Sequence, residues 1–314
     1  MIKGRGFRLW FLCLGALLLL YLGGHLNPLG FLLAGVLIPL PVLLTGWRLG
    51  EWAGLLLAVA AALVIFSLQP GWAIITQNLG LGELLLLGIL LGGLLYRGWF
   101  PPPAIILTVV SLNLVVLLFL SGQAFVLGMP LKELLTQKSG EIMQTVNQLL
   151  SRTGSGSAGL LPLGLSQGDL EAWLSRLLPG LVVINTGLVA WINVILARQL
   201  AVLLGWGEPV PPLYYWATPE WLIFVVLGAG FLLLVPVRGL RLFCLNLLLM
   251  LALFYFCQGV AVISAWFHRF QLPRFLRLLG YPLLFLNPLF VLTVTLGLMD
   301  LWLDFRRLNQ PKDA

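Results

Sequence analysis

An all-α polytopic membrane protein, with eight or nine transmembrane helices and one central interfacial amphipathic segment, is what the sequence predicts. Three observations carry that expectation. Of 314 residues 60% are hydrophobic and only 9% charged, against roughly 25% charged in ordinary soluble domains. The apolar residues form continuous runs of Leu, Val, Ile, Ala and Gly, the pattern of helices that satisfy their own backbone in lipid; a closed barrel needs alternating segments of about ten residues instead. Finally, one long stretch, Gln123 to Leu178, reads as water-exposed. It divides the chain into an N-terminal membrane half with five spans (1–122), an extramembrane amphipathic segment (123–178) and a C-terminal membrane half with three or four spans (179–314).

Lys3, Arg5 and Arg8 precede the first run, Leu9 to Leu22, which reads as a retained anchor because further spans follow it. The second run, Leu29 to Trp47, contains Pro39 and Pro41; each removes a helical hydrogen bond, so a kink or a broken helix is expected. Spans three to five are Trp52 to Leu68, Leu81 to Tyr96 and Ala104 to Leu120. In the fourth, Gly88 and Gly92 form a GxxxG face that admits close approach of another helix. Glu83 stands near the start of that helix, where the dipole favours a carboxylate. It is either a boundary residue or a ligand for an ion or solute.

In the central segment Leu131, Leu134, Leu135, Ile142, Met143, Val146, Leu149 and Leu150 follow helical spacing opposite Lys132, Glu133, Lys138, Glu141 and Gln148, which predicts an interfacial or partner-binding helix. Ser151 to Ser157 reads as a flexible break. Ser166 with Asp169 then reads as the start of a helix leading through Pro179 into the next span. Spans six to nine are drawn as Leu181 to Leu204, Trp221 to Val237, Leu242 to Trp266 and Pro282 to Leu303. Trp10, Trp47, Trp52, Trp99, Trp206, Trp216, Trp221, Trp266 and Trp302 lie at or near these ends, as indoles seeking the headgroup level would.

The net charge of +7 is what positive loops on one side of a membrane produce, and no nucleic-acid partner is expected. With nine crossings and the N-terminus cytoplasmic, and leaving aside the four cations of the central segment, nine of the loop cations face the cytoplasm and five the other side; if the run between Arg198 and Arg238 is re-entrant, the split is eleven to three and the C-terminus also lies inside. Cys13, Cys244 and Cys257 have no metal or redox spacing and fall in apolar runs. His25 and His268 lie on opposite sides in the nine-span arrangement. No metal or cofactor is expected.

The buried polar inventory is short. Asn113, Asn193 and Gln258 fall near the middles of three spans, where an amide either bonds to a neighbouring helix, worth about 0.6 kcal/mol, or lines a cavity for a neutral solute. With Glu83 they are the candidate substrate-binding residues. Asp300, Asp304 and Arg307 share a helical face at the end of the last span and predict an ionic network that fixes its depth near water. Neither a Ser/His/Asp set nor a phosphate loop is visible, so an enzyme is not expected. Two classes remain: a small-solute-binding or transport component, with Pro39-Leu40-Pro41 and Asn287-Pro288 as broken regions exposing backbone, or a membrane scaffold or regulatory protein contacting partners through the central segment and the basic stretch around Arg269, Arg274 and Arg277.

A set of short pieces occurs in a characteristic order: Pro39-Leu40-Pro41 with Arg48 and Gly50; Asn193 with Leu196-Ala197-Arg198; Trp216 with Pro219 and Trp221; Gln258-Gly259-Val260-Ala261-Val262; and Gly297-Leu298-Met299-Asp300-Leu301-Trp302-Leu303-Asp304-Phe305-Arg306. In these the chain resembles the YybS-like family. The resemblance implies a bacterial multi-pass inner-membrane protein, without an established activity to carry over, and a distant similarity to the substrate-binding components of energy-coupling-factor vitamin transporters.

Overall fold

A computed structural model describes residues 2–26, 34–68, 79–152, 167–206, 215–286 and 288–306. The stretch 153–157, Ser166, Asn287, Arg307 and Lys312 lie outside the described residues. Among the described residues the regular structure is all helical. The helices are α1 (Ile2–Leu26), α2 (Pro39–Leu49), α3 (Glu51–Leu68), α4 (Leu79–Tyr96), α5 (Pro101–Leu127), α6 (Leu131–Arg152), α7 (Gln167–Leu203), α8 (Leu222–Leu232), α9 (Arg238–Arg269), α10 (Arg274–Leu283) and α11 (Leu289–Leu303). Four segments among the described residues are long and apolar enough to cross a membrane: Gly6–Gly24, Pro101–Leu127, Arg176–Leu203 and Arg238–Arg269. Ala34–Leu49, Glu51–Ser67, Gly80–Tyr96, Leu222–Leu232 and Leu289–Leu303 are shorter apolar helices.

The chain divides into two compact units, one made of residues 1–131 and 185–209, the other of 132–184 and 210–314. Within the first unit the stretch expected to kink or break at the prolines stays helical: Ile38, between the turn over 34–37 and the start of α2 on Pro39, keeps α-helical dihedrals (φ −54°, ψ −38°) and donates its N–H to the Ala34 carbonyl at 2.9 Å. A proline is tolerated in a first turn because the N–H it lacks would have no intrahelical acceptor there. At the other end Gly50, at φ 104°, turns the chain directly into α3. The GxxxG face of α4 is taken up by α2: a Cβ on Gly88 would stand 2.7 Å from the Pro39 carbonyl oxygen, and one on Gly92 2.9 Å from that of Leu43. Gly54 of α3 is pressed equally close to Gly46. These glycines let three backbones pack where side chains would hold them apart.

A further set of contacts brings together one end each of α1, α2, α3, α4 and α7. Gly6 of α1 lies against Leu49 of α2, the Trp10 indole donates to the Ala53 carbonyl at 3.2 Å, and Arg48 donates to the Trp206 carbonyl just beyond α7. Arg97, past the end of α4, makes a two-pronged ion pair with Glu51, which holds the guanidinium above its ordinary pKa. This end therefore gathers Trp10, Trp47, Trp206, Arg8, Arg48 and Arg97, the residue types that mark a membrane boundary.

In the second unit α9 and α11 pack antiparallel at glycine contacts. Gly259 faces Thr293, Gly297 faces Tyr255, and a Cβ on either glycine would overlap a backbone carbonyl oxygen of the other helix. Two runs drawn as single spans take other forms. The run 221–237 yields only the eleven residues of α8, about 16 Å, before the chain turns into α9. The run 282–303 is the end of α10, a break after Leu283, and α11 starting behind Pro288. By contrast, the helix expected to lead through Pro179 is continuous: α7 runs unbroken from Gln167 to Leu203.

Candidate functional site

The candidate site of the second unit is built where two helix ends meet the middle part of α9. Gln258 stands about 30 Å of helix from Arg238 and about 16 Å from Arg269, inside the apolar stretch rather than at either boundary. From one side comes the non-helical segment that precedes α8. Thr218 donates its N–H to Gln258 Oε1 at 3.2 Å and its hydroxyl to the Phe254 carbonyl at 3.3 Å. From the other side comes the C-terminal end of α11, which the Gly259 and Gly297 contacts align with the same part of α9. Here Gln258 Nε2 donates to Asp300 Oδ2 at 3.1 Å.

A left-handed residue completes the arrangement. Asp304, at φ 39°, ends α11 with its N–H bonded to the Asp300 carbonyl at 3.1 Å, and the reversal carries Arg306 back to the helix it has just left. Arg306 donates through Nε at 3.0 Å and Nη2 at 2.7 Å to the one oxygen Asp300 Oδ2, and through Nη1 at 2.5 Å to the Trp216 carbonyl. The pair is almost dry, with side-chain exposures of 4% and 2%. Its charges compensate each other and its donors satisfy irregular backbone, the two conditions under which an ion pair survives in an apolar interior. Asp300 Oδ1 is buried and has no partner among the described residues, and neither has the Tyr255 hydroxyl one turn before Gln258. The arrangement is electrically neutral and has an unused acceptor at Asp300 Oδ1, so it can accept a bond from a neutral N–H or O–H group.

The sequence expects Asp300 near water in a network with Asp304 and Arg307. The structure buries Asp300 and gives it Arg306 and Gln258 as partners; the reason is the turn at Asp304, which folds the tail inward where continued helix would have carried it outward. Gln258 and Asp300, assigned separately from sequence, thus belong to one cluster. Thr218 and the Trp216 carbonyl were not singled out as site residues. Their signal in the sequence is faint, a Pro219 that ends any helix through Thr218 and leaves its backbone to be bonded by side chains.

The remaining candidates lie in the first unit. Asn193 is fully buried and donates to the Val36 carbonyl and to Val189 of its own helix, both at 2.7 Å. It thereby holds α7 to the turn that precedes Pro39. Two turns earlier on α7, the Thr186 hydroxyl lies 3.3 Å from Glu83 Oε1 on α4. Asn113 bonds back to Val109 on its own helix at 2.8 Å. Asn193 and Glu83 therefore line the same helix face, whereas Asn113 is tied to neither.

A family model described as "Predicted membrane protein (DUF2232)" matches residues 14–301, a span that includes Glu83, Asn113, Asn193, Gln258 and Asp300. No curated protein and no solved structure matches the chain.

Proposed function

Given that the chain belongs to the DUF2232 family of predicted membrane proteins, we propose that it is a small-solute-binding or transport component of the bacterial inner membrane, with its site at Asp300, Gln258, Thr218 and Arg306. One observation carries the reading: two helix ends, the start of α8 and the finish of α11, meet inside the apolar part of α9 around a neutralised ion pair with an unused carboxylate oxygen. Ionisable residues at such depth are costly to keep, and broken helices around a polar centre are how membrane transporters expose groups to a solute. The solute that suits this centre is small, polar and uncharged, with a hydroxyl or amide donor for Asp300 Oδ1. The resemblance to the YybS-like family, and through it to energy-coupling-factor substrate-binding components, supports the same class.

The arrangement that accompanies this reading has eight crossings, with both termini cytoplasmic. At about 16 Å, α8 has half the length of the hydrocarbon core, which supports a segment that enters and returns. That topology also puts eleven cations on the cytoplasmic side, against three in the other connections and four, Lys132, Lys138, Arg152 and Arg176, in the central segment. The test is purification in mild detergent followed by mass spectrometry of co-purifying small molecules, for wild type and Asp300→Asn in parallel. A polar solute recovered with wild type and lost from the variant is the expected result. Recovery of a protein partner and no solute would overturn it in favour of a scaffold acting through the central segment.

A further inference from the structure

In the first unit, at the boundary where its tryptophans and arginines gather, Arg48 has a defined orientation and no counter-ion among the described residues. Arg48 closes the last turn of α2 with its guanidinium 5.3 Å from the centre of the Trp47 ring and 4.8 Å from that of Trp206. Nη2 donates to the Trp206 carbonyl at 2.6 Å, which fixes the plane of the group. Nε is buried without an acceptor among the described residues. Nor does any described carboxylate reach it: Glu51, the described acid at this end, is held by Arg97. An oriented guanidinium between aromatic rings is a fork for phosphate oxygens, and a donor left unpaired costs free energy until an acceptor arrives. Leu49 and Trp52, beside it in the chain at the turn from α2 to α3, are exposed apolar groups of the kind found at headgroup level.

We propose that Arg48, held between Trp47 and Trp206, is the headgroup site for one anionic phospholipid. The phosphodiester supplies the missing counter-charge, the two indoles border the headgroup, and the acyl chains run along the exposed apolar flank of the unit. Arg8, exposed on α1 at the same end, adds long-range attraction without being part of the site.

The test is native mass spectrometry of the full chain released from vesicles containing equal amounts of phosphatidylglycerol and phosphatidylcholine. Wild type retains phosphatidylglycerol in preference, Arg48→Gln lowers that retention about tenfold or more, and Arg8→Gln leaves most of it. Equal retention by Arg48→Gln and wild type overturns the proposal, as does an equal loss in Arg8→Gln, which would mean diffuse charge rather than a site. Millimolar inorganic phosphate that displaces the lipid would assign a free-anion site and overturn the lipid. If Arg48→Gln does not assemble, wild type alone decides, since equal retention of the two lipids rejects a preference for the anionic headgroup.

Discussion

Arg306 Nε and Nη2 both converge on Asp300 Oδ2, at 3.0 and 2.7 Å, and leave Oδ1 of the same carboxylate buried and free of any described partner. That asymmetry separates this pair from an ordinary staple, in which the guanidinium fork would take both oxygens. It also predicts how the pair responds to mutation. Arg306→Gln strands a buried carboxylate and should cost about 3–5 kcal/mol, read as loss of thermal stability in detergent. Asp300→Asn combined with Arg306→Gln should cost less than the sum of the single changes, because both remove one network. Strict additivity in that double-mutant cycle would show that the two groups are not coupled.

The crossing of α9 and α11 depends on two missing side chains. Gly259→Ala or Gly297→Ala puts a methyl onto a backbone carbonyl oxygen that no rotamer change can move, so each should lower stability by about 2 kcal/mol or more. Gly15→Ala, with open space around it on α1, should be neutral or slightly stabilising, by up to about 1 kcal/mol. Melting curves of the three variants measure the contrast.

The two buried-span asparagines should behave differently despite their similar sequence settings. Asn193→Leu removes the bond to Val36, in the turn before Pro39, and should cost about 1–2 kcal/mol, the upper part of the range for interhelical amides in membranes. Asn113→Leu breaks only a bond to Val109 on the same helix and should change stability by less than about 0.5 kcal/mol. Thermal unfolding of the two variants in the same detergent would decide it, and equal losses would refute the assignment.

For topology, thiols are best introduced at Gln137 and Phe100, which are both exposed. The native Cys13, Cys244 and Cys257 are buried and leave little background. In intact spheroplasts an impermeant maleimide should label Gln137→Cys and spare Phe100→Cys until the membrane is opened. Equal labelling of both before lysis would reject a cytoplasmic N-terminal face with α6 on the opposite side.

Composition and the long uncharged runs determined by themselves that this is a helical membrane protein, because lipid leaves a chain no other way to bond its backbone than helices or a closed barrel. The helices at Leu9 to Leu22, Trp52 to Leu68, Leu81 to Tyr96 and Leu242 to Trp266 were legible for that reason. What tertiary structure alone decided is how deep each polar residue lies and which partner it meets. Asp300 and Gln258 are separated by 41 intervening residues and meet at 3.1 Å only because Gly259 and Gly297 bring α9 and α11 into backbone contact. Arg306 reaches Asp300 only because Asp304 takes a left-handed turn that few residues other than glycine adopt. Hydropathy averages over a window of residues, whereas a hydrogen bond depends on one atom's position. The cluster at Asp300 is a property of the packed helices and could not be read from the runs that form them.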